Sequence, residues 1–137
     1  MKYPHLKVTL AIGGWNEGSK KYSNLAANPK KRKTFVNSAT SFIIEHKFDG
    51  LDLDWEYPTK RGGVLEDKEN FILLIRDLQA VFSKHNLLLT AAIGADPGTI
   101  DTAYNIEEMY KYLVSILDKF IILLNADATG FCTCNVL

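Results

Sequence analysis

The sequence is short of the residues that would assign it to several large protein classes. It has only two cysteines, Cys132 and Cys134, separated by one residue. That spacing is neither a redox C-x-x-C nor a zinc ligand set, and a disulfide between such near neighbours would be strained. They read as terminal thiols, and cysteine usage leaves the compartment open. No run approaches the roughly 18 apolar residues a membrane span needs; the run Phe120 to Leu124 is far shorter. The start, Met1-Lys2-Tyr3-Pro4, lacks the apolar stretch of about 7–15 residues found in export signals, and no N-x-S/T glycosylation site occurs. Excess charge is also missing. Lys plus Arg is 16 and Asp plus Glu is 16, so neither nucleic acid nor an anionic membrane is indicated as a partner. No metal ligand set, internal repeat or low-complexity stretch is visible.

What remains is a 137-residue chain that is 47% hydrophobic and 23% charged, enough for one globular domain with a core. Its one basic run, Lys30-Lys31-Arg32-Lys33, follows Asn28-Pro29. Asn before Pro suits an N-cap and first helical residue, so the run reads as the solvated start of an amphipathic helix rather than an address signal or anion patch.

Strand-like and helix-like periods alternate along the chain. Residues 6–12 read as a strand ending at Gly13-Gly14. Phe35, Ala39, Phe42, Ile43 and His46 recur at helical spacing within 30–46. Residues 48–55 alternate with period two. Phe71, Leu74, Ile75, Leu78, Val81 and Phe82 form one stripe of a helix over about 67–84. A third strand over 87–93, a helix over 105–117 with Ile106, Met109, Tyr110, Leu113 and Leu117 on one face, and a strand over 119–124 complete a β-α-β-α-β-α-β order. That order predicts a parallel sheet with right-handed crossovers, either doubly wound or a stretch of a (β/α)₈ barrel.

The second strand carries the chemistry. By parity Asp52, Asp54 and Glu56 share one face, about 6–7 Å apart at successive positions, while Leu51, Leu53 and Trp55 share the other. Both faces of a parallel sheet are normally apolar, and three ionised acids there would cost several kcal/mol. At least one carboxyl should therefore be pushed toward neutrality, and a carboxylic acid still protonated at working pH is what glycosidic bond cleavage needs. Glu56, last in the row and longest in reach, is the candidate at the strand's C-terminal end, where barrel active sites open. A solvated edge strand is the alternative, but it would not have an apolar opposite face and helices connected on both sides.

The segment Phe48-Asp49-Gly50-Leu51-Asp52-Leu53-Asp54-Trp55-Glu56-Tyr57-Pro58 resembles the D-x-x-D-x-D-x-E signature of family 18 glycoside hydrolases, with Asp49, Asp52, Asp54 and Glu56 in its four acidic positions. Leu10-Ala11-Ile12-Gly13-Gly14-Trp15-Asn16 resembles the family's S-x-G-G landmark, with Ala11 in place of Ser, and Leu88 to Ala92 resembles the next strand. The likeness runs from about residue 3 to 114. Residues 115–137 diverge: where the family usually ends a strand M-x-Y-D, Leu124 stands for Met, Ala126 for Tyr, and Asp127 is kept.

The resemblance implies an α/β chain holding about four consecutive units of a (β/α)₈ barrel, the family's third to sixth strands, as part of one catalytic domain over 1–137. It implies a chitinase acting on β-1,4-linked N-acetylglucosamine without a cofactor. Family 18 is an exception to the two-carboxylate scheme of most glycosidases: the substrate's acetamide attacks while Glu56 serves as acid and base, Asp54 orients the acetamide and shares a proton with Asp52, and Asp49 is structural. Trp15, Tyr57 and Asp127 are implied sugar contacts. Relatives of this kind are commonly secreted. Four units would leave open barrel edges through which copies could associate. A chitin-binding lectin on the same fold, or a fragment without activity, are the other readings; the first usually lacks the glutamate that Glu56 supplies.

Overall fold

The computed structural model describes residues 7–113 and the backbone of Leu124 and Asn125. In chain order it contains β1 (Thr9–Gly13), a 3₁₀ turn (Trp15–Glu17), α1 (Lys20–Ala26), α2 (Pro29–His46), β2 (Gly50–Asp54), α3 (Asp67–His85), β3 (Leu88–Ala91), β4 (Ile93–Gly94), α4 (Pro97–Ala103), α5 (Ile106–Leu113) and β5 (Leu124–Asn125).

Local chemistry sets the helix ends. The Asn28 side chain accepts the N–H groups of Lys30 at 2.9 Å and Lys31 at 3.1 Å, satisfying two orphan donors while Pro29 takes the first helical position. Helix α2 stops at Lys47 and α3 at Asn86, each in the left-handed region, with φ of 60° and 54°. Those caps return their N–H groups to the last turn.

Strands β1, β2 and β3 form a parallel sheet in that order. Gly50 lets β2 and β3 close up, since a Cβ there would lie 2.1 Å from the Leu88 carbonyl oxygen. Leu51, Leu53 and Trp55 join the core formed with α1, α2 and α3. The Trp55 ring lies 5.4 Å from Phe71, edge-on, and 5.9 Å from Tyr22. Burying side chains of this size contributes about 1.5–3 kcal/mol each. The architecture is an open stretch of a (β/α)₈ barrel.

Several expectations are corrected. On α2, Arg32, Val36, Thr40 and Ile43 are buried and Phe35 and Ala39 pack against the core, so Arg32 leaves the solvated start expected of the basic run, while Phe42 is 44% exposed and stacks on His46 at the surface. Arg32 turns in because its guanidinium meets Asp77 at 2.8 Å and the Ala26 carbonyl at 2.7 Å. On α5 only Met109 is buried, and Tyr110 is exposed. The strand expected over 87–93 divides into β3 and β4, and β4 pairs in parallel with β5, Ile93 opposite Leu124. The short helices α1 and α4 were not anticipated. Most of the strand expected over 119–124, together with Leu117, Ala126, Asp127, Cys132 and Cys134, lies outside the described residues.

Candidate active site

The acidic column forms on β2 and just beyond it. Every residue from Leu51 to Glu56 is buried, including Asp52, Asp54 and Glu56, each exposing under a tenth of its surface. Parallel register places Asp52 between Ala11 of β1 and Thr90 of β3. The Ala11 side chain has nothing to offer a carboxylate, whereas the Thr90 hydroxyl donates a hydrogen bond to Asp52 Oδ1.

Asp54 sits opposite Gly13. A Cβ on Gly13, whose φ is +123°, would fall 2.0 Å from the Asp54 carbonyl oxygen. That same oxygen accepts the Gly14 N–H at 2.8 Å, and a Cβ on Gly14 would touch Asp54 Oδ2 at 3.6 Å. The two glycines are the recess into which β2 presses its second acid. The other carboxylate oxygen, Asp54 Oδ1, is buried with no hydrogen-bond partner among the described residues.

These surroundings decide where a proton stays. Burial first, then the charge and hydrogen bond of Glu56 and the charge of Asp52, push the Asp54 carboxyl up to about 7. Burial also raises Asp52, and the Thr90 hydroxyl opposes that rise. Asp49 has a different task. Burial works to raise its carboxyl, but the Val8 N–H at 2.8 Å and the Lys7 ammonium at 2.9 Å bring it below the usual range. It anchors the entrance to β1 rather than joining the column.

Beyond the column, the segments after β1 and β2 are tied together. Arg61 lays its guanidinium 3.6 Å from the centre of the Trp15 ring and donates to the carbonyls of Trp15 at 2.6 Å and Glu56 at 3.2 Å. Ser19, fully buried, donates its hydroxyl to the Tyr57 carbonyl at 2.7 Å and accepts Trp55 Nε1–H at 3.0 Å. Trp15 is 46% exposed, and its ring centre lies 6.3 Å from that of Tyr57 in an edge-on arrangement. Burial, then the charge and hydrogen bond of Glu56, raise the Tyr57 phenol. Tyr104 caps the far side, its hydroxyl donating to the Trp55 carbonyl at 3.3 Å. Among the described residues no group of three or more His, Cys, Asp and Glu is placed to hold a metal ion, and no helix is long and apolar enough to cross a membrane.

A family model, "Glycosyl hydrolases family 18", matches residues 1–130. The chain belongs to glycosyl hydrolase family 18. It is 57% identical over 111 residues to the "Probable chitinase 2" of Drosophila melanogaster, covering 81% of this chain and 23% of that protein. It is 44% identical over 119 residues to "Chitotriosidase-1" of Mus musculus, covering 82% and 26%. The family 18 structure of the Ostrinia furnacalis group IV chitinase in complex with allosamidin superposes with a TM-score of 0.80 at 41% identity, covering 82% of this chain and 30% of that one. The chain thus spans about a quarter of the length of the curated relatives it matches.

Three residues that shape this family 18 site escaped the sequence reading: Ser19, Arg61 and Thr90. Ser19 meets Trp55 and Tyr57, and Arg61 meets Trp15, at separations of 36 to 46 positions, which no local period encodes. Thr90 was accessible in principle, since aligning the third strand against the second puts it beside Asp52.

Proposed function

We propose that this chain forms part of a chitinase-type catalytic domain that cleaves β-1,4 linkages between N-acetylglucosamine units with retention of configuration. The observation that carries the reading is the buried column Asp52-Asp54-Glu56, with its middle carboxyl raised to about 7. Asp54 and Glu56 are two residues apart in the chain and project from the same face of β2 and its extension. They are poorly placed to flank a sugar ring from opposite sides, as an acid and a protein nucleophile must. The acetamide of the substrate fills the missing role. Its carbonyl oxygen attacks the anomeric carbon while Glu56 delivers a proton to the departing glycosidic oxygen. An oxazolinium ion forms, and water opens it after giving a proton to Glu56.

Asp54, held protonated below about pH 7, donates toward the acetamide and steadies the cationic ring. Asp52 shares the proton from behind. Trp15 and Tyr57 offer aromatic faces at the rim, and Asp127 is a further sugar contact that the resemblance implies. The related names support the substrate class: a structure of the Ostrinia furnacalis group II chitinase catalytic domain 2, 39% identical with a TM-score of 0.75, is described as a mutant in complex with penta-N-acetylchitooctaose. Secretion, and pairing of copies through β1 and β3, each of which has one strand neighbour among the described residues, belong to the same proposal.

The test is release of fluorophore from a chitobioside by the purified chain. Turnover is expected, with Glu56→Gln lowering it by about 10²–10⁴. A folded chain that releases nothing at high concentration, yet is retained on chitin, would replace this reading with a binding module.

A further inference from the structure

The acid at the back of the column has neighbours on two sides, and they differ in kind. On β1 the register partner of Asp52 is Ala11, and on β3 it is Thr90. Strands β1 and β3 carry no titratable side chain. The groups facing the column are its own Asp54 and Glu56, together with Tyr57, Tyr22 and Tyr104, whose phenols sense the Asp54 charge. The cation Arg61 reaches the Glu56 carbonyl at 3.2 Å and its charge acts on the Tyr57 phenol, but among the described residues Asp52 makes no ion pair. Among the described residues, the Thr90 hydroxyl is the group that donates to the Asp52 carboxylate. The hydroxyl is fixed: Thr90 is β-branched, with its backbone in the β2–β3 ladder.

We propose that Thr90 is a positioning residue that decides which carboxyl of the column holds the shared proton. By donating to Asp52 Oδ1 it favours the ionised form of Asp52, and the negative charge so fixed keeps the proton on Asp54, beside Glu56 and the substrate's acetamide. Without the hydroxyl, Asp52 is left with no side-chain donor among the described residues, and it competes for the proton. The proton then rests two residues too deep to reach the acetamide. The inference builds on the acid–base reading of the column, but the proton's location can be measured without turnover.

The experiment is a carboxyl ¹³C NMR titration of the full chain, wild type against Thr90→Val, which keeps the shape of the side chain, and Thr90→Ser, which keeps the hydroxyl. A hydrogen bond to a charged group shifts a proton equilibrium by about tenfold or more. In Thr90→Val the Asp52 titration should therefore move up by about one pH unit or more and that of Asp54 should move down, narrowing the gap between them; Thr90→Ser should restore it. An unchanged gap in Thr90→Val, or the same narrowing in both variants, would overturn the proposal. The pH profile of kcat/KM on a chitobioside gives the second arm, with the basic limb moving to lower pH in Thr90→Val only. A wild-type chain without turnover would sink the hydrolase reading and leave the titration result standing.

Discussion

Replacing Asp54 by Asn should make the protein more stable at alkaline pH while abolishing its chemistry. The ordinary value for the carboxyl in the unfolded chain is 3.8, and burial with the neighbouring Glu56 raises it to about 7 in the fold. Between those values the native state binds a proton that the unfolded state has lost, so stability falls as pH rises through the window. Each pH unit of difference is worth about 1.4 kcal/mol, giving a loss of roughly 4 kcal/mol at most by pH 8. Asp52, also raised, contributes with the same sign.

Asp54→Asn keeps the shape and removes the charge. With a urea dependence of about 2 kcal/mol per molar, the wild-type midpoint should drop by up to about 2 M between pH 4.5 and 8. The variant should show only the smaller slope due to Asp52 and exceed the wild type at pH 8. Wild-type stability that rises from pH 5 to 8, or a variant whose slope matches the wild type, would refute the electrostatic argument.

The other predictions concern the supports. Gly13→Ala forces a Cβ to within 2.0 Å of the Asp54 carbonyl oxygen at a φ of +123°, and should cost about 3 kcal/mol or more, read as a collapse of the melting temperature. Ser19→Ala leaves the buried Trp55 N–H without its acceptor and the Tyr57 carbonyl without its donor; about 2–3 kcal/mol should be lost in chemical denaturation. Arg61→Ala should cost under about 1 kcal/mol of stability, yet free the Trp15 ring. That change is visible as increased acrylamide quenching, because Trp55 is buried and silent. Asp49→Asn should flatten acid denaturation: the lowered Asp49 carboxyl adds stability above 3.8 that is lost as pH falls below it, and at a partly exposed ion pair this amounts to under about 1 kcal/mol.

The part of the site legible in the sequence is the part governed by period. Alternation on β2 assigned Asp52, Asp54 and Glu56 to one face, and in the structure all three are buried there opposite Leu51, Leu53 and Trp55. The Asn28-Pro29 start of α2 followed from cap chemistry alone. Reading failed where a polar side chain found a partner from a distant segment. Arg32 is drawn inward by Asp77 and the Ala26 carbonyl, although it stands in a basic run that read as solvated. Helices α1 and α4, seven residues each, are too short to show a stripe and depend on tertiary contacts. That Asp54 is raised to about 7 also exceeds what parity can say. It follows from burial and from the neighbouring Glu56 and Asp52, which depend on how the strands come together.

The most direct test of the account is the anomer first released from a chitooligosaccharide, followed by ¹H NMR before mutarotation. Attack by the acetamide followed by water on the vacated face predicts the β-anomer. An initial α-anomer would contradict the role given to the carboxylate column on β2.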